Sequence, residues 1–194
     1  MDIYVLDYLH AIEPLSDGLR QHLENILKTR HVKKKEILLR PGHISCHIYF
    51  ITKGLLRAYY IKNSEVEISS WFMKEGDVVV SIESFYQQKE SFEYIEALED
   101  TDLFYIEHSE LEYIYKHFKE FNTIGRVLTI KYLILWAQQL RMLRMNNAQE
   151  RYDWLKSNFA DILHRVPQNY LATFMDKTPV TFSNTKKRDK RHIA

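Results

Sequence analysis

The chain has a single cysteine, Cys46, which rules out an intrachain disulfide and any zinc framework built from several thiolates. Long apolar runs are missing. The longest, Tyr132 to Ala137, is far short of the ~20 residues that a membrane helix needs. The opening stretch, MDIYVLDYLH, carries acids where a signal peptide carries bases, so the expected setting is the reducing cytoplasm, without a membrane partner. Internal repeats and low-complexity tracts are absent as well. So are the usual marks of catalysis: there is no P-loop, dinucleotide fingerprint or nucleophile motif. His43 and His47 could begin a cupin-type metal site, but no His lies between His47 and His108 to complete one. The expectation is a protein that is not an enzyme, with no catalytic residues, no metal site and no resident cofactor.

What is present suits a packed core, since 45% of the residues are hydrophobic and 13% aromatic, well clear of a disordered composition. The net charge of +1 conceals an asymmetry. Seven basic residues lie between His164 and Ala194 (Arg165, Lys177, Lys186, Lys187, Arg188, Lys190 and Arg191), against only Asp176 and Asp189. A cationic end on a near-neutral chain is one footprint of nucleic-acid contact; a solvated tail is the other reading.

Hydrophobic spacing divides the chain. Leu19, Leu23, Ile26 and Leu27 recur at helical intervals, with Ser16 as a cap, so the first thirty residues are expected to be helical. From about His31 to Ile106 the period becomes two, in short runs: Ile37–Leu39, Ile48–Thr52, Leu55–Ile61, Val66–Phe72, Val78–Val80, Phe92–Leu98 and Leu103–Ile106. Turn signals such as Pro41-Gly42, Lys53-Gly54, Asn63-Ser64 and Gly76-Asp77 separate them, the pattern of a sandwich, jelly roll or barrel. One connection, Ser81 to Ser91, is much too long for a hairpin loop.

Ser109-Glu110-Leu111-Glu112 has the form of a capping box. A long helix is then expected from Thr123 to Met145. Leu128, Tyr132, Leu135, Gln139 and Met142 form one stripe on it, assigned here to a two-fold dimer interface; Val127, Ile130, Ile134 and Ala137 form another. After Asn146-Asn147, AQERYDWLKSNF and ADILHRV read as short helices. Pro167 opens a last unit in which Tyr170, Leu171 and Phe174 share a face. Thr178-Pro179 starts a second helix with a hydroxyl cap and a first-position proline, expected to reach Arg188. Two short helices ending in Lys186-Lys187-Arg188 have the layout of a helix-turn-helix.

The strings VKKKEILLRPGHISCHIYFITKGLLRAYY, WFMKEGDVVVSIESF, ALEDTDLFYI and VPQNYLATFMDKTPVTFSNTKKR, in this order, resemble the Crp/Fnr family of transcription regulators, which carry a cyclic-nucleotide-binding domain. The resemblance implies an α+β fold. N-terminal helices and a β-roll (a double-stranded β-helix or jelly roll) form an effector domain over residues 1–120. A long dimerisation helix covers 121–146, and an all-α helix-turn-helix domain, winged-helix-like but truncated, covers 147–194. It also implies a DNA-binding regulator acting as a homodimer, with a roll that senses a small effector. The ligand-facing set would be Arg57, Gly76, Asp77, Ser81, Glu83, Ser84, Phe85, Lys89, Ser91 and Phe92. Cyclic-AMP-binding members place a Glu and an Arg where a gapless match puts Ser81 and Ser91. Losing the Arg removes about 3–6 kcal/mol of charge-assisted bonding, and Lys89 lacks the planar fork that would replace it. The effector is therefore expected to be something other than cAMP, or none.

For DNA the resemblance points to Gln168, Thr178, Thr181, Asn184, Lys186, Lys187 and Arg188. Asp176 stands where the family's turn has Gly, at a position that favours positive φ, and Lys177 where it has an apolar residue. The alternative is a ligand-sensing or protein-binding module whose helix-turn-helix is degenerate.

Overall fold

The structure, a computed structural model, describes residues 4–63, 65–144 and 147–193. Ser64, Met145 and Asn146, which entered the expected turns and helix end, lie outside the described residues, as do the side chains of Lys190 and Arg191. By internal contacts the chain divides into two compact units: Met1–Ala58 with Phe72–Tyr132, and Tyr59–Trp71 with Leu133–Ala194.

Two helices come first, α1 (Tyr4–Ile12) and α2 (Asp17–Ile26). The Ser16 hydroxyl accepts the Leu19 amide at 3.2 Å and so caps α2, as expected. Among the described residues eight strands follow: β1 (Lys28–Val32), β2 (Ile37–Leu39), β3 (His47–Lys53), β4 (Leu55–Lys62), β5 (Val66–Lys74), β6 (Val78–Val79), β7 (Tyr94–Ala97) and β8 (Thr101–Glu107). They form two four-stranded sheets in the orders β1-β8-β3-β6 and β2-β7-β4-β5, the jelly-roll arrangement foreseen from the short alternating runs. Strand β1 was not foreseen. It pairs antiparallel with β8, Lys28 opposite Tyr105 and Val32 opposite Thr101, yet only Val32 of its five residues is buried.

Gly54 joins β3 to β4 at φ +106°, and a Cβ there would lie 2.7 Å from the Asp100 carbonyl oxygen, so only glycine fits this turn. The core of the first unit gathers Leu19 and Leu23 of α2, Phe50, Phe104 and Ile106 from one face of the β1-β8-β3-β6 sheet, and Leu111 and Ile114. The last two belong to α4 (His108–His117). Its cap lies two residues earlier than expected: the Glu107 amide donates to the Glu110 carboxylate at 2.7 Å, which places Ser109 inside the first turn.

Helix α5 (Lys119–Arg144) is long, as expected. Helix α6 (Ala148–Phe159) follows, capped by Asn147, whose side-chain oxygen accepts the Glu150 amide at 2.8 Å. ADILHRV is not a helix; it is a run of turns closed by Arg165 and Val166 amides on the Ile162 carbonyl. Helices α7 (Gln168–Phe174) and α8 (Pro179–Ile193) complete the chain, α8 passing well beyond Arg188.

The second unit is held by aromatic contacts. Trp71 packs edge-on against Trp136, Phe159 and Phe174 at centroid distances of 6.3, 5.9 and 6.4 Å. Three consecutive β5 residues each contact helical residues of this unit. Ser69 donates its amide to Thr173 Oγ1 at 3.2 Å, Ser70 accepts from Gln139 Nε2 at 2.9 Å, and Trp71 joins the cluster.

Candidate functional sites

The long connection out of β6 is an ordered cassette. Gly76 sits at φ +83° and its amide returns to the Ile51 carbonyl, which turns the chain into β6. Asp77 closes the same turn, its carboxylate accepting the Lys74 amide at 3.0 Å. Burial pushes the Asp77 carboxyl above the ordinary range, because little water reaches its charged form. A short helix, α3 (Ile82–Gln87), then occupies the middle of the insert and ends on Gln88 in the left-handed region at φ 50°.

Of the ten residues assigned to a ligand, the structure brings Ser81 and Ser91 together, with their hydroxyl oxygens 3.3 Å apart and both residues buried. Ser84 is buried too, but its hydroxyl accepts the Ser45 amide at 2.9 Å and donates to the Lys89 carbonyl at 2.5 Å, so it serves the loop. Phe85 belongs to the hydrophobic core instead: it is fully enclosed and packs edge-on to His108 at 4.9 Å. Glu83, Lys89 and Phe92 are exposed, and Phe92 leaves 60% of its surface to solvent. Arg57 is fully enclosed and engaged by its surroundings. The residue that sequence reasoning missed is Glu93, whose carboxylate accepts the Ser81 hydroxyl at 2.8 Å. A hollow of 240 Å³ lies elsewhere, lined by His22 and Tyr113, and one of 220 Å³ borders the end of the insert, lined by Gln88, Cys46, His47 and His108.

The stripe assigned to dimerisation turns inward, for a physical reason. Tyr132 accepts the Val78 amide at 2.7 Å, Gln139 donates to Ser70, Met142 is fully buried, and Leu128 packs on the core of the first unit. Leu135 is half-buried. A polar stripe residue with a partner in its own chain is better satisfied there than across a two-fold axis. The face left open is the other one: Ile130 is 44% exposed, Leu133 64%, Ile134 52% and Leu140 54%, and Ala137 lies between them. Residues 130, 133, 137 and 140 follow the alternating three-and-four spacing of a helix-pairing seam.

The C-terminal pair of helices is built from the turn outward. Asp176 adopts φ 52°, the left-handed conformation expected of a residue standing in for glycine. The Thr178 hydroxyl accepts the Thr181 amide at 3.2 Å, so the cap on α8 forms with Pro179 in the first turn. Buried Leu171 and Phe174 of α7 and buried Phe182 of α8 give the pair its apolar seam. Arg151, also buried, donates to the carbonyls of Leu143 and Met175 at 2.7 Å each, capping the ends of α5 and α7 with one guanidinium. Lys156 ties α6 to Asp189 of α8 at 2.8 Å.

With Phe182 and Thr185 turned inward, Val180, Asn184, Lys187 and Arg188 share the solvent face of α8. Thr178 and Gln168 are exposed at the starts of α8 and α7, while Thr181 and Lys186 are half-buried on the flank. Every residue assigned to DNA therefore reaches the surface of this unit, and Val180, which was not assigned, stands 70% exposed beside them.

Residues 29–118 match the family model described as a cyclic nucleotide-binding domain. Among solved structures, the chain is similar to a Crp/Fnr-family transcriptional regulator from Eubacterium rectale, at 16% identity, covering 96% of this chain and 88% of that one, with a TM-score of 0.74. It is similar to FixK2 from Bradyrhizobium japonicum, at 15% identity, with 86% of each chain covered and a TM-score of 0.71. It is also similar to CLP of Xanthomonas campestris, described as a c-di-GMP-responsive global regulator, at 13% identity, with 91% and 93% covered and a TM-score of 0.70. At these identities the likeness is one of fold. No curated protein sequence matches the chain. Among the described residues no helix is long and apolar enough to cross a membrane.

Proposed function

Since the chain carries a cyclic-nucleotide-binding-type domain within the fold shared by Crp/Fnr-family regulators, we propose that it is a DNA-binding transcription regulator that works as a homodimer. The observation that carries this reading is the exposed face of α8, where Val180, Asn184, Lys187 and Arg188 are presented together by a capped helix. Lysine and arginine there suit phosphates, Asn184 suits an adenine edge, and Val180 suits a thymine methyl. A half-site reader of this kind needs a second copy to gain affinity, and the open apolar face of α5 is the surface that would supply it.

The effector is a small molecule other than cAMP, or none. Ser91 replaces the bidentate cation that would grip a cyclic phosphate, and Lys89 faces solvent. The similarity to CLP supports the same view, because that regulator's response is to a different nucleotide.

Gel shifts over random duplexes at two salt concentrations test the proposal. Binding is expected at about 50 mM salt and should weaken steeply by about 200 mM, with a log–log slope near −0.9 for each phosphate neutralised. Exchange of Lys186, Lys187 and Arg188 for Glu should abolish it. No binding at low salt would instead favour a ligand-sensing or protein-binding module.

A further inference from the structure

We propose that Glu93 decides what this roll accepts: its carboxylate fills the anion position of the insert from within, so the insert closes without a ligand and turns away cyclic phosphates. The inference rests on the reading of residues 29–118 as a cyclic-nucleotide-binding-type roll.

Four contacts define the arrangement. The Ser81 hydroxyl donates to Glu93 Oε1 at 2.8 Å, and the Ser91 hydroxyl to the Glu93 carbonyl at 3.0 Å. The Glu93 amide donates back to Ser91 Oγ at 3.1 Å, and the two serine oxygens lie 3.3 Å apart. Ser81 enters the insert and Ser91 leaves it, so the carboxylate ties one end of the cassette to the other. The exit strand is fixed further by the Ser91 amide on the His43 carbonyl and the Gly42 amide on the Ser91 carbonyl, each 2.9 Å. With Ser84 committed to Ser45 and Lys89, all three serines of the insert use their hydroxyl protons on the chain itself.

Ser81 and Ser91 are the two positions that match the ribose- and phosphate-gripping residues of cyclic-AMP-binding members. A carboxylate held at those same positions satisfies the donors that an incoming anion would need, and repels it at short range. The insert is thus an internally occupied version of the cassette.

The test uses the full chain, calorimetry with cAMP and with cGMP to about 1 mM, and amide exchange over residues 81–93. Wild type and Ser91→Arg alone should bind neither nucleotide, because the new guanidinium would pair with Glu93. Ser91→Arg with Glu93→Gln should bind at least tenfold more tightly than Ser91→Arg. In the ligand-free protein, Glu93→Ala should speed exchange of the insert at least tenfold, whereas Glu93→Gln, whose amide oxygen still accepts from Ser81, should not. Micromolar binding by wild type, equal binding by Ser91→Arg alone, a folded double variant that binds nothing, or unchanged exchange in Glu93→Ala would each overturn the proposal. If the double variant does not fold, the exchange comparison decides. Gel shifts with the same proteins keep the two readings apart: loss of DNA binding removes the regulator and leaves the nucleotide outcomes standing.

Discussion

The Tyr132 hydroxyl accepts the Val78 amide proton at 2.7 Å and donates to the Asp77 carboxylate at 3.4 Å, so one phenol on α5 anchors the turn from which the long insert departs. Burial and the neighbouring carboxylate both hold the Tyr132 phenol protonated far beyond its ordinary range. Tyr132→Phe keeps the ring and strands the Val78 amide. A loss of about 1–3 kcal/mol is expected in urea denaturation, with the oligomeric state unchanged.

Asp77 makes stability fall with rising pH. Its folded pKa is raised, so between the ordinary carboxyl value and the raised one the native state holds more protons than the unfolded state, and deprotonation favours unfolding. Asp77→Asn keeps an oxygen for the Lys74 amide and turns an NH2 donor toward the Tyr132 hydroxyl oxygen, without a charge to bury. Thermal melts from acid to neutral pH should show this variant losing less stability over that window than wild type. A steeper loss would contradict the assignment.

The two faces of α5 should respond differently to substitution. Leu133→Asp and Leu140→Asp place charge on the open face and should convert the protein to monomers in sedimentation experiments, with the melt of the monomer little changed. Met142→Ala should cost about 2–5 kcal/mol of stability through the cavity it leaves.

Asp176 carries a small strain that can be removed. At φ 52° a glycine is freer than an aspartate, but the Asp176 carboxylate also sits 3.5 Å from Arg151 Nη1. That contact is long and the carboxylate is exposed, so it offsets little. Asp176→Gly should therefore stabilise by up to about 1 kcal/mol in chemical denaturation, with DNA affinity retained.

The strands of the roll were legible wherever a buried face alternated with a wet one, as in β8, or where Gly54 and Gly76 punctuated the chain. Strand β1 was not, because KTRHV buries only its last residue and so shows no period of two. The capping box on α4 was displaced because Ser109-Glu112 and Glu107-Glu110 both offer oxygens at the required spacing, and the pairing of β3 with β8 settles which one starts the helix. On α5, apolar residues surround the helix, so spacing identified two stripes but could not say which one the chain would cover. Tyr132 and Gln139 were the available clue, since each carries a polar tip that needs a partner. The Asp176 conformation and the Thr178 cap were readable because both depend on local backbone chemistry. Glu93 was not, because its partner lies across the insert and no motif surrounds it.

All three tryptophans, Trp71, Trp136 and Trp154, fall in the unit that contains α6, α7 and α8. Indole emission is therefore confined to that unit, which includes the β5 residue Trp71, while Met1–Ala58 with Phe72–Tyr132, rich in tyrosine, stays dark to red-edge excitation. A denaturation followed by tryptophan fluorescence and again by far-ultraviolet dichroism will set the melting of that unit against that of the whole chain without any label being introduced.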